Sequence, residues 1–109
     1  GTDGQVSVDY PDFARKVVDE ILKKKAQKGI LICGTGIGMA ITANRYQGIR
    51  AAHCYDRQQV IIARQHNNIN VLCLGARVIN DAEALACLIS FLETEFEGGR
   101  HQKRIDKID

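Results

Sequence analysis

The stretch Ile30-Leu31-Ile32-Cys33-Gly34-Thr35-Gly36-Ile37-Gly38 decides how this chain folds. Its opening apolar run reads as a buried parallel strand. The glycines read as a tight turn into a short helix that continues to about Asn44. A strand that passes through such a turn into a helix presents backbone N–H groups where anions bind. On pattern alone, three readings stand: a dinucleotide loop, a phosphate or oxyanion cradle, and a purely structural turn. The dinucleotide fingerprint is G-x-G-x-x-G, and here the third glycine falls one position early. The acidic residue about 20 positions on would be Asp56, which is better explained as a helix cap. A P-loop would need Gly-Lys-Ser/Thr, which is absent.

Cys33 adds chemistry to the turn. A thiol among backbone N–H groups at a helix start is expected to have its pKa lowered from about 8.5 toward neutrality. A thiolate there could act as nucleophile or general base. The plainer reading is a buried cysteine at a strand end. Cys54, Cys73 and Cys87 lie in apolar strands or on a helix face, and read as buried free thiols of a cytoplasmic protein. No C-x-x-C pairs any two of the four, and His53, His66 and His101 show no metal-ligand spacing. Neither a metal nor a cofactor is therefore expected.

Moving outward, Asp9 and Pro11 open a helix with Phe13, Val17, Val18, Ile21 and Leu22 as its apolar stripe. Lys23, Lys24, Lys25 and Lys28 read as the solvated end of that helix, with Gly29 closing it. A second strand is expected over Ile49–Cys54. Asp56 and Gln59 then form a capping box for a helix to about His66, and Asn67-Asn68 turn into a third strand, Val71–Leu74. Asp81 is expected to cap a last helix with Leu85, Leu88, Ile89 and Leu92 on its packed face. The segment from Gly98 to Arg104 reads as a basic, loosely patterned tail. Helices alternating with strands imply one α/β domain over residues 1–109, with a parallel sheet and right-handed crossovers: a Rossmann-like three-layer sandwich.

The whole-chain arithmetic agrees. The 109 residues suit a single domain. Lys and Arg number 15 against 13 Asp and Glu, a net charge of +2 that does not suggest a nucleic-acid partner. No apolar run approaches the ~20 residues of a membrane span.

Several separated segments together resemble one family. They are Asp9-Tyr10-Pro11-Asp12, Ile30 to Gly38, Arg64-Gln65-His66-Asn67, Leu74-Gly75-Ala76-Arg77, and Glu97-Gly98-Gly99-Arg100-His101-Gln102-Lys103-Arg104. In this order they look like ribose-5-phosphate isomerase B, a family that also includes galactose-6-phosphate and allose-6-phosphate isomerases. The resemblance implies interconversion of ribose 5-phosphate and ribulose 5-phosphate through an enediolate, a step of the pentose phosphate pathway. It makes Cys33 the base between C2 and C1. Thr35 and the backbone of Gly34, Gly36, Ile37 and Gly38 would hold the enediolate oxygens. His66 would open the furanose ring, and Asn67 would hold a sugar oxygen. Arg77, Arg100 and Arg104 would bind the phosphate, with Tyr10 close to the substrate.

Two expectations follow beyond the match. Cys33 follows its strand and His66 precedes its own, so they belong to opposite sheet edges. A five-residue strand spans about 16 Å. The active site is therefore expected to be shared in a homodimer or tetramer, with the Cys33 loop from one chain and His66-Asn67 from the other. The family also begins with a strand–helix–strand unit of roughly 30 residues carrying an Asp-His pair. Residues 1–109 lack that unit, so weak or no isomerase activity is expected of them alone. Otherwise the chain would be a phosphate-binding or oligomerisation module.

Overall fold

The structure, a computed structural model, describes residues 9–109. Its elements run α1 (Tyr10–Leu22), β1 (Gly29–Cys33), α2 (Ile37–Ala43), β2 (Ala51–His53), α3 (Arg57–Asn67), β3 (Val71–Gly75), α4 (Asp81–Glu93) and α5 (Arg100–Ile108). The sheet order is β1-β3-β2, all parallel. The register pairs Gly29 with Val71 and Cys33 with Gly75, so β1 and β3 begin and end together. That shared register gives the sheet one carboxyl edge, where strand ends and following loops can build a site.

Burial explains the order. Every residue of β3 is buried, as expected for a central strand covered on both faces. One face packs Leu31, Val71 and Cys73 against Ala14 and Val18 of α1 and Met39, Ala40 and Ala43 of α2. The other packs Leu72 and Leu74 against Val60 of α3 and Cys87 and Phe91 of α4. The expected α/β layers are thus present. Among the described residues the outer edge of β1 pairs with no strand, and Ile32 is half exposed. The edge of β2 is closed differently: the Asn44 side chain donates to the Ala51 carbonyl at 2.9 Å and accepts from its N–H at 2.8 Å.

Several local expectations need correction. α1 ends at Leu22, and Gly29 opens β1 instead of closing the helix. Lys28 does not serve the end of α1. Its ammonium lies over the Phe91 ring and donates to the Phe91 carbonyl at 3.3 Å, at the end of α4. Burial lowers its pKa. The Asp9 side chain caps nothing. Asp56 does cap α3, accepting from the Gln59 N–H at 2.9 Å. β2 is shorter than expected: the Arg50 N–H donates to the Asn70 side-chain oxygen at 2.8 Å instead of to a strand carbonyl.

α4 differs most from the reading of its sequence. Asn80, not Asp81, is its cap, accepting from Glu83 N–H at 2.8 Å. Its packed face is Ala84, Cys87, Leu88 and Phe91, while Leu85, Ile89 and Leu92 point outward at 46–59% exposure. The helix is apolar on two faces, so periodicity alone could not choose between them. The basic tail is also ordered as α5, anchored by buried His101 and Ile105. Its C-terminus returns to the sheet, where Asp109 pairs with Arg50 at 2.8 Å.

Candidate active site

At the carboxyl edge, β1 delivers Cys33 into the turn that leads to α2. Gly36 adopts a left-handed φ of 81°, and that turn carries its N–H back onto Cys33 Sγ at 3.1 Å. Only glycine reaches this conformation without strain. The Gly36 backbone is pressed against His53 at the end of β2, leaving no room for a side chain. Ile37 N–H is also used within the turn, donating to Thr35 Oγ1 at 3.3 Å. The Gly36 and Ile37 backbone donors, both expected to face a substrate, are therefore bonded inside the loop. The Thr35 hydroxyl still has its own hydrogen to donate outward.

Two side chains frame this turn. The Tyr10 ring packs on Gly38, and the Arg77 guanidinium lies over Gly34. The β3–α4 loop holds Arg77 there, with its N–H donating to the Gly34 carbonyl at 3.0 Å and Ala76 N–H donating to Cys33 O at 2.7 Å. An open concavity of about 530 Å³ results, lined by Tyr10, Cys33, Thr35, Ile37, Ile41 and Arg77 among others. Its rim carries exposed apolar side chains: Tyr10, Ile37 and Ile41 are 48–61% exposed.

Cys33 is set apart from the other thiols. All four cysteines are free, but only Cys33 is partly exposed. Burial pushes the Cys54 and Cys87 thiols up to about 11 and Cys73 up to about 12. Those three stay protonated at neutral pH and are inert, as their positions in the sequence suggest.

The other expected residues form a second group. His66 and Asn67 end α3, just before the opposite, amino-terminal edge of the sheet. His66 stacks on His101 of α5, with ring centroids 4.3 Å apart. The Glu97 carboxylate lies 3.4 Å from His101 Nε2 and 4.0 Å from His66 Nε2. Folding thus assembles a His-Glu-His cluster that the linear spacing of the histidines does not reveal. Arg100 and Arg104 are exposed on α5, the helix that carries His101. Within one chain, none of these residues joins the concavity around Cys33.

Arg64 has no counterpart in that expected set and holds the second group together. It is 7% exposed. It donates to Thr94 O at 2.9 Å, Asn68 Oδ1 at 2.9 Å and Ile69 O at 2.6 Å. Glu97 N–H then donates to Gln65 O at 3.1 Å. Arg64 therefore clamps the end of α3 to the loop that presents Glu97. An arginine on the inner face of an amphipathic helix, just before a strand, was the available signal.

A parallel sheet with a thiol, a hydroxyl and a guanidinium gathered at its carboxyl edge defines a Rossmann-like α/β protein with a built polar site. The chain belongs to the ribose/galactose isomerase family, whose sequence pattern it matches over residues 1–108. It is 54% identical to a ribose 5-phosphate isomerase of Thermotoga maritima known from a crystal structure, with a TM-score of 0.96. That match covers 100% of this chain and 75% of the other. It is 51% identical over 102 residues to a probable ribose-5-phosphate isomerase B of Mycoplasma genitalium, covering 92% of this chain and 66% of that protein. A crystal structure of ribose-5-phosphate isomerase B from Mycoplasma genitalium, solved with bound ribulose-5-phosphate, matches with a TM-score of 0.89 at 47% identity. That match covers 99% of this chain and 70% of the other. The chain thus spans about two thirds to three quarters of the length of these relatives. No helix among the described residues is long and apolar enough to cross a membrane.

Proposed function

We propose that this chain forms part of an aldose–ketose isomerase that interconverts ribose 5-phosphate and ribulose 5-phosphate. The observation that carries the reading is Cys33 Sγ accepting the Gly36 N–H at 3.1 Å, at the floor of a concavity flanked by Thr35 and Arg77. As thiolate, Cys33 takes the proton from C2 of the open-chain aldose, leaving an enediolate; the O2 hydroxyl proton passes to O1, and Cys33 returns its proton to C1 to give the ketose. Thr35 and the N–H groups of Gly34 and Gly38 stabilise the oxygen on which charge develops, donors typically worth ~3 kcal/mol each. Arg77 holds the phosphate with its planar fork, and Tyr10 closes the near wall.

The second group completes this site from a partner copy. In that arrangement His66 opens the furanose ring as acid and base, Asn67 holds a sugar oxygen, and Arg100 and Arg104 grip the phosphate. Two facts support a homodimer. The two groups occupy opposite sheet edges, about 16 Å apart along the strands. The exposed Tyr10, Ile37 and Ile41 also rim the concavity, where a partner surface would cover them.

The test is proton exchange at C2 of ribose 5-phosphate, followed in deuterated water. The assembled enzyme exchanges the C2 proton and Cys33→Ala does not. Unchanged exchange in Cys33→Ala rejects the thiol as base. A second reading, galactose 6-phosphate as substrate, is kept because the family pattern covers both sugars. Turnover of the two sugar phosphates side by side separates them.

A further inference from the structure

We propose that His66, Glu97 and His101 form a binding site for a divalent transition-metal ion of the zinc class. The three residues come from three pieces of structure: the end of α3, the loop after α4, and the first turn of α5. One ligand atom from each lies within 4.8 Å of the others. In tetrahedral zinc sites with bonds of about 2.0–2.2 Å, neighbouring ligand atoms are about 3.3 Å apart. Glu97 Oε1 already lies 3.4 Å from His101 Nε2 and 4.0 Å from His66 Nε2.

The backbone is bent to produce this convergence. Gly98 and Gly99 both have positive φ, 72° and 55°, and a side chain at either would meet nothing within 4 Å. These glycines are needed for conformation, not for space. They fold α5 back so that buried His101 faces His66. Glu97 is held from the other side by its N–H bond to Gln65 O. His101 is the fixed ligand, at 6% exposure.

One adjustment is required. The imidazole rings are nearly parallel, at 14°, and each lone pair lies in its own ring plane. His66 is the more exposed ring, and its terminal torsion has a broad energy profile. Turning it brings its nitrogen toward the ion. Two imidazoles and one carboxylate select Zn²⁺, Co²⁺, Ni²⁺ or Cu²⁺ over Mg²⁺ or Ca²⁺, and leave a fourth position open to water. Arg100 next to His101 opposes a cation, so affinity is expected below that of four-ligand structural zinc sites.

Binding has a consequence that rests on the isomerase reading above: the ion occupies the His66 lone pair and blocks its acid–base work. Metal binding itself does not depend on that reading. Co²⁺ titrated into the reduced, full chain in phosphate-free buffer is expected to give the visible bands of a tetrahedral site, at one ion per chain. Zn²⁺ calorimetry should show the same stoichiometry. Glu97→Gln, a change at a half-exposed residue that spares the fold, lowers affinity about tenfold or more. His101→Ala does the same, and Cys33→Ala leaves affinity unchanged. No binding, equal binding by Glu97→Gln, or binding abolished by Cys33→Ala overturns the site. In turnover assays Zn²⁺ inhibits, and inhibition weakens in Glu97→Gln. Undiminished inhibition in that variant overturns the inhibitory role, while an enzyme without turnover leaves the spectroscopic result to decide the site.

Discussion

The two ends of this sheet are built on different principles. At the carboxyl edge, Cys33, Gly34, Thr35, Gly36, Ile37 and Gly38 are contiguous, and local geometry alone aims Gly36 N–H at the Cys33 sulfur. At the amino-terminal edge, His66, Glu97 and His101 are scattered over three elements and meet only because Arg64 and two left-handed glycines bring them together. The first end is a property of a peptide, and the second is a property of a fold. Damage to the first should therefore abolish chemistry and spare stability. Damage to the second should cost stability as well.

The sharpest break of this contrast is Cys33→Ala in the assembled enzyme. Loss of the proton-transferring base is expected to lower kcat by about 10²–10⁴-fold. Thermal unfolding should shift little, because the side chain is partly exposed. A fall in activity matched by a fall in Tm would erase the distinction.

Next comes a mixing experiment. Cys33→Ala and His66→Ala protomers, each inactive alone, are unfolded together and reassembled. If sites are shared across a two-fold dimer, random pairing restores about a quarter of the sites. No recovery would mean that both groups serve the same chain.

Arg64→Ala probes the second end. Removing a buried cation leaves three acceptors without their donor, at Thr94, Asn68 and Ile69. A loss of about 2–4 kcal/mol in urea unfolding is expected. Arg77→Ala, at the exposed first end, should raise KM for the phosphorylated substrate and leave unfolding within about 0.5 kcal/mol of the parent.

The smallest effect is in pH and thiol chemistry. At neutral pH a thiol reagent should modify Cys33 first and leave Cys54, Cys73 and Cys87 until the chain unfolds. Those three have folded pKa values raised to about 11–12 by burial. Their stabilising contribution is complete below the unfolded thiol pKa, about 8.5, and is lost as pH rises through the folded values. Unfolding free energy should therefore decline between about pH 9 and 12. Flat stability across that window would mean that the thiols are not buried as described.

Particular residues show where the sequence was legible. β1, the glycine turn and the Asp56 cap are contiguous signals, and each lies where its pattern predicts. α4 was not legible: Leu85, Ile89 and Leu92 repeat at helical spacing, yet the neighbouring stripe of Cys87 and Phe91 packs. Both stripes are apolar, and only the position of the helix over β3 selects one. α5 was missed because its composition is basic, and just two buried residues, His101 and Ile105, mark its inner face. Among the candidate site residues, those around Cys33 were recognisable as one loop, whereas Glu97 carried no local signature of its role and Arg64 only its place on the inner face of α3.

By itself, the sequence determined the parallel α/β class, the cysteine-bearing turn and the family resemblance. Each is encoded by residues adjacent along the chain, where periodicity, glycine conformation and capping act over a few bonds. Only the tertiary structure decided that two of the loop's own donors bond within it, that Lys28 serves α4, and that His66 meets Glu97 and His101. Those outcomes depend on which elements lie side by side, and packing against a shared core fixes that at sequence separations where no local pattern reaches.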